Sequence, residues 1–372
     1  MIRVADALQQ TERASVEQPG GFAWWYADIV DSHGNGAVVI WSWGLPFLPG
    51  LLDATRRGKA QAALAWPSLN VAFYRGGRQE YYLLQQFGAD EATWEETATA
   101  TGRRERWCFG KTVIERTIAS GQVRLEVALD CQQAELPTLT GRLTLQGALA
   151  DGLVGTDGAG ESGHFWGVVT GHADGEAELQ TEGASLVVKG SGYHDRNWAP
   201  RQLDELGIAS WTWLRVSRAS ETLVLYLLWP EQGGAPRLLG RRIAADGAVT
   251  EVPPEQIRWS GGRRDRYGVS MVERIVVAAG GEELVLRIAA PVERGPFYLR
   301  AAVSDPSEAW RGWAETVVPK RIDRAVERPL VRMAVHRRKG TNSFWLPLFA
   351  GLRSSRVARL FRIWRKERPG PC

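Results

Sequence analysis

The sequence predicts an all-β protein of two antiparallel β-barrel or sandwich domains, with a short basic helix at the C-terminus. Three observations carry that expectation. Period-two apolar patterns recur along residues 123–129, 142–145, 211–216, 223–228, 284–288 and 297–300, as strands require. Turn-forming pairs punctuate these runs: Gly76-Gly77, Asp174-Gly175, Asp246-Gly247 and Gly280-Gly281. Helical periodicity is confined to about residues 51–64 and the C-terminal tail. The 372 residues are enough for two such units. The expected division is 1–200, 201–335 and a tail of 336–372.

Composition narrows the class. A hydrophobic share of 44% and a charged share of 24% are those of an ordinary soluble chain. Cys108, Cys131 and Cys372 are too scattered for a disulfide framework or a zinc site, and read as free thiols in a reducing compartment. The N-terminus lacks the apolar core of a secretory signal, and no run approaches a membrane span. A cytoplasmic protein is expected. Seventeen tryptophans are far above the ordinary share, many of them in strand-like segments. An aromatic-lined cavity would account for the excess, since the indole suits apolar and cationic partners alike.

Charge is divided unevenly. From Lys320 to Cys372 there are fifteen Lys or Arg and three Asp or Glu, a net +12; the chain total is +4, so residues 1–319 stand at −8. Within this tail, Val357, Leu360, Phe361 and Trp364 share a helical face opposite Arg359, Arg362, Arg365 and Lys366. A basic amphipathic segment from Arg356 to Arg368 fits a peripheral contact with the inner face of a membrane. A helix docked on its own protein is the alternative. Nucleic acid is not expected, because no recognition motif accompanies the charge.

The densest chemistry lies in Gly190-Ser-Gly-Tyr-His-Asp-Arg-Asn-Trp198. As a strand, this segment puts Tyr193 and Asp195 on one face and His194 and Arg196 on the other. His164 and Trp166, in Gly163-His-Phe-Trp-Gly167, are likewise two apart. Between the pairs, His172-Ala-Asp-Gly175 and Glu182-Gly183-Ala184 read as turns around a middle strand. That meander would set the two pairs about 10 Å apart on one cavity wall. Asn197 reads as holding a turn. Ala23-Trp-Trp-Tyr-Ala-Asp28 repeats the Tyr-x-Asp pattern early in the chain, where the pair reads equally as tying down the first strand. Trp25, Tyr26, Asp28, Trp198, Trp211 and Trp213 are the expected substrate-lining residues. His164, His172 and His194 lack metal-ligand spacing, so no metal is expected. Gly155-Thr-Asp-Gly-Ala-Gly160 precedes no helical pattern and reads as a loop, not a phosphate cradle.

The Gly-x-Gly-Tyr-x-Asp-x-Asn-Trp segment resembles the hallmark of the carotenoid 1,2-hydratases, or hydroxyneurosporene synthases. Ala23–Asp28 with Ile40-Trp-Ser-Trp-Gly44, Leu69-Asn-Val-Ala-Phe-Tyr74, His164-x-Trp166, Pro296-Phe-Tyr-Leu-Arg300 and Arg328-Pro-Leu-Val-Arg-Met333 resemble further blocks of that family, in order. The resemblance implies lipocalin-like domains, in a superfamily that also holds fungal decalin-forming Diels–Alderases. It implies a lipophilic polyene or isoprenoid substrate, no cofactor, and His164, Trp166, Tyr193 and Asp195 as catalytic residues. Ala199 departs from the family, which has glycine there.

Those groups suggest a reaction. Asp195, buried among aromatics, would protonate a terminal C1=C2 bond. Trp166 and Tyr193 would steady the tertiary cation through their ring faces. His164 would accept a proton from water or keep Asp195 in its acidic form. Two further readings stay open: a polyene cyclase or pericyclase, and a non-catalytic isoprenoid or lipid carrier.

Overall fold

The computed structural model describes residues 2–5, 12–133, 137–151, 163–279, 282–331 and 335–337. They form two curled, predominantly antiparallel sheets, and the all-β lipocalin-like expectation is met. At the centre of the larger sheet lies Ala184–Ala199, between Phe22–Val30 and His164–Thr181. One side continues through Gly36–Trp43, Pro67–Arg75 and Arg78–Gln86. The other runs back through Leu139–Ala148 to Ala92–Thr99. Val335–Arg337 returns to pair in parallel with Arg78–Gln86, so the first sheet is completed by chain from beyond the second. The smaller sheet centres on Ile208–Arg218, Arg311–Val317 and Tyr298–Ser304.

The strands that cross the molecule's middle are buried on both faces, because each sheet packs on two sides. One core fills the curl of the first sheet with Trp25, Trp41, Trp107 and Trp198. A second fills the smaller sheet with Leu214, Leu225, Ile275 and Leu299. The third lies between the sheets, where Trp24, Tyr26, Trp166 and Tyr193 of the first meet Trp213, Tyr226 and Trp313 of the second. Beside it, Arg215 and Asp28 form an ion pair with both side chains fully buried, and Tyr26 Oη donates to Asp28 Oδ2 at 2.7 Å. Such a pair locks one arrangement of the sheets, since parting it strands two charges.

Two expectations change here. The predicted meander is a single long hairpin. His172-Ala-Asp-Gly175 does not turn; it runs on inside His164–Thr181, absorbed by register shifts between Val168 and Ala173. The only reversal between the two strands is Glu182-Gly183, where Gly183 takes φ 80°, left-handed backbone that glycine adopts without a Cβ clash. The predicted helix over 51–64 shortens to Leu51–Arg56. Gly280-Gly281, residues 155–160 and the amphipathic segment 356–368 lie outside the described residues. Among the described residues no helix is long and apolar enough to cross a membrane.

Candidate active site

Ala184–Ala199 carries the hallmark segment, and its period of two sorts the polar groups. Tyr193, Asp195 and Asn197 face the second sheet, while His194, Arg196 and Trp198 face the first sheet's own core. The glycines before them have a local cause. A Cβ on Gly190 would lie 2.2 Å from the Val30 carbonyl oxygen of the neighbouring strand.

Asp195 is the centre of the forward face. Its Oδ2 accepts from Trp166 Nε1 and from Tyr193 Oη, each at 2.8 Å. Its Oδ1 accepts from Asn197 Nδ2 at 3.2 Å. Among the described residues it has no ion-pair partner. Burial dominates and pushes its carboxyl up, the Trp166 and Tyr193 hydrogen bonds pull it down, and the charges of Glu315 and Asp28 push it up again; the result is about 7. The acid is therefore about half protonated at pH 7. With Oδ2 held by two donors, the proton belongs on Oδ1.

The remaining groups back this arrangement. Trp166 sits across from Asn197 in the strand pairing, which brings His-x-Trp directly beside Tyr-x-Asp, nearer than a meander would. His164 Nε2 donates to Asn197 Oδ1 at 3.0 Å, with Asn197 oriented by its own bond to Asp195. Among the described residues, His164 Nδ1 has no hydrogen-bond partner. The ring lies edge-on to Trp24 at 5.4 Å and to Trp211 at 6.2 Å. Burial drives its pKa down to about 3, so the imidazole is neutral.

In front of Asp195 opens a cavity of about 70 Å³ between the two sheets. This is space for a few water molecules at roughly 10–15 Å³ each, or for the end of a chain. Trp24, Tyr26, Trp211, Trp213 and Tyr226 give it aromatic walls. The far side is polar: Glu293, Arg300 and Glu315 line it, with Asn70 and Tyr82. Arg300 pairs with Glu315, takes Tyr298 Oη at 3.0 Å and Tyr74 Oη at 2.9 Å as acceptors, and Tyr74 in turn donates to Glu293. Burial raises the Glu293 carboxyl against the pull of Arg300.

With this geometry, the comparison with known proteins is decisive at the level of family. The family described as Carotenoid hydratase CrtC matches over residues 99–344. The chain belongs to the carotenoid hydratase family. An acyclic carotenoid 1,2-hydratase of Thiocapsa roseopersicina is 27% identical over 289 residues, which is 77% of this chain and 65% of that protein. The chain thus spans slightly under two thirds of that relative's length. A Nitrosomonas europaea protein assigned as AttH shares the fold, with TM-score 0.53 and 15% identity over 81% of this chain and 93% of that one. CghA, solved with Sch210972, does so as well, with TM-score 0.53 and 14% identity over 80% and 88%.

In this carotenoid hydratase-family chain the four expected catalytic residues converge, but only Asp195 lines the cavity; His164, Trp166 and Tyr193 stand behind it. Of the expected lining residues, Tyr26, Trp211 and Trp213 are on its wall. Trp25 and Trp198 are corrected: both point into the opposite core, Trp25 stacked on Trp41 and Trp198 on Phe165. Asp28 is corrected too, its carboxylate being consumed by Arg215 and Tyr26. Asn197 holds no turn; it lines the cavity and bridges His164 to Asp195. The reading from sequence missed Trp24, Tyr226, Glu293, Arg300 and Glu315. For Glu315 a signal existed: Trp313-x-Glu315-x-Val317 puts a carboxyl in an inward-facing alternation.

Proposed function

We propose that this chain is a cofactor-independent hydratase that adds water across a terminal trisubstituted C=C bond of an acyclic carotenoid or related isoprenoid. One observation carries the reading: a buried carboxyl raised to about 7, with no ion-pair partner among the described residues, faces a cavity with aromatic walls. Protonating an isolated alkene needs a neutral acid at hand and a wall that tolerates positive charge. Asp195 Oδ1 gives its proton to C2, and the two hydrogen bonds on Oδ2 stabilise the carboxylate left behind. The tertiary cation at C1 is steadied by the rings of Trp24, Tyr26, Trp211, Trp213 and Tyr226, worth about 2 kcal/mol or more per well-placed ring when water is excluded. Trp166 and Tyr193, expected to do this through their ring faces, instead act through their N–H and O–H. His164 orients Asn197, and through it the acid. The family and the relative from Thiocapsa roseopersicina support the polyene substrate. Peripheral membrane contact through the Arg356–Arg368 sequence rests on its charge pattern alone.

The test is product mass. The protein incubated with lycopene should yield a species heavier by one water, and Asp195→Asn should lower that rate about 10³-fold, within the span of general acid catalysis. An isomer of unchanged mass would favour the cyclase instead, and undiminished hydration by Asp195→Asn would remove Asp195 from the reaction.

A further inference from the structure

The hydration just proposed needs a second group that the Asp195 side of the cavity does not supply. Water that captures the cation becomes an oxonium, which must lose a proton to a base. His164 is ill placed for this: it is absent from the cavity wall and separated from Asp195 by Asn197. Trp166, Tyr193 and Asn197 all spend donors on Asp195.

The opposite wall holds what is missing. Glu315 projects from Arg311–Val317, with Trp213 across from it on one neighbouring strand and Arg300 on the other. One carboxylate oxygen is paired with the Arg300 guanidinium, and the side chain keeps 16% exposure. Arg300 itself is fixed by Tyr298 and Tyr74 and sits over the rings of Tyr26 and Tyr74, at 5.8 and 5.7 Å. Glu315 is thus held by a charged partner and lines the same cavity as Asp195. Beyond Arg300, a hydrocarbon gives this carboxylate nothing to bond with, so its place on the cavity wall suits a polar reactant.

We propose that Glu315 holds the attacking water on the wall facing Asp195 and takes its proton, with Arg300 as the positioning residue. The inference rests on the hydratase reading. The balance is complete. Asp195 gives H⁺ to C2 as the π pair forms the C–H bond, and a water lone pair forms the C–O bond at C1. The surplus proton passes to Glu315, and exchange with solvent restores both carboxyls. The two groups also sense one another. Glu315 is among the charges that raise Asp195, and both act on the phenol of Tyr226. Two carboxyls facing across a cavity, one held by neutral donors and one by a guanidinium, match the division of labour acid–base pairs use elsewhere.

The test separates the two half-reactions in D₂O, with lycopene in detergent micelles as the probe. Glu315→Gln should lower water addition about 10²-fold or more, while recovered lycopene still gains deuterium at C2, because the cation forms by addition of a deuteron and reverts by loss of the C2 protium. Asp195→Asn should lose both signals. Should the glutamine variant not fold, Glu315→Asp, which keeps the charge but withdraws it by one methylene, is read in the same two channels with the same expected split. Wild-type hydration by either folded variant overturns the assignment, as does loss of deuterium exchange together with hydration. If the unsubstituted protein adds no water, the hydratase reading itself falls, and this inference with it.

Discussion

The strand Ala184–Ala199 has two buried polar faces, and they are built on opposite plans. On the rear face, His194 Nδ1 donates to the Tyr26 carbonyl oxygen and Nε2 accepts from Arg116 Nη1, each at 2.8 Å. Arg116 pairs with Glu105, Arg196 pairs with Glu12, and Trp41 stacks on the His194 ring at 5.4 Å. Both guanidiniums there meet an opposite charge. On the forward face, Asp195 is buried as deeply but receives only neutral donors, and its pKa rises in consequence. Burial of polar groups does not by itself mark chemistry. A matched network holds a fold together; a carboxyl denied a cation and given a cavity is a stored proton.

That contrast can be broken from either side. The largest effect belongs to the rear face: Arg196→Met strands the Glu12 carboxylate and should cost about 3–5 kcal/mol of stability. The position of the pH–rate curve of whatever protein remains folded should be unmoved. Equilibrium denaturation and a pH–rate curve check the two halves. A shifted curve would mean the rear network tunes the acid. The forward face should respond in the opposite sense. Asp195 titrates near 7 folded and near 4 unfolded. Between those values the folded state holds a proton the unfolded state lacks, so stability falls as pH rises and stays low above 7. Asp195→Asn removes this penalty. Its stability relative to the parent should therefore improve by roughly 2–4 kcal/mol between pH 4 and pH 8, measured by denaturant melts at both. An unchanged difference would mean Asp195 is ionised at neutral pH.

Much of this was readable from sequence where alternation has a direction. Tyr193-x-Asp195 and His164-x-Trp166 are legible as pairs because a strand's period of two fixes which neighbours share a face. Direction fails where both faces are buried. Phe22–Val30 is buried throughout, so nothing in Trp24-Trp25 says which indole meets the cavity, and the structure selects Trp24. The His172–Gly175 segment has turn chemistry but stays extended, since Gln146 and Gly147 of the adjacent strand pair with Asp174 and Ala173. Pairing on both flanks outweighs local propensity there. Glu293, Arg300 and Glu315 lay hidden for another reason: the cavity lies between the sheets, and its second wall comes from chain about a hundred residues past the hallmark.

The central claim is that Asp195 must carry a proton for water to be added. The direct measurement is the rate of lycopene hydration from pH 5 to pH 9, for the parent and for Tyr193→Phe. The rate should fall tenfold per unit above about pH 7 in the parent. In Tyr193→Phe, which loses a hydrogen bond favouring the carboxylate, the fall should begin at higher pH. A parent rate that is flat or rising from pH 6 to pH 9 would contradict the account.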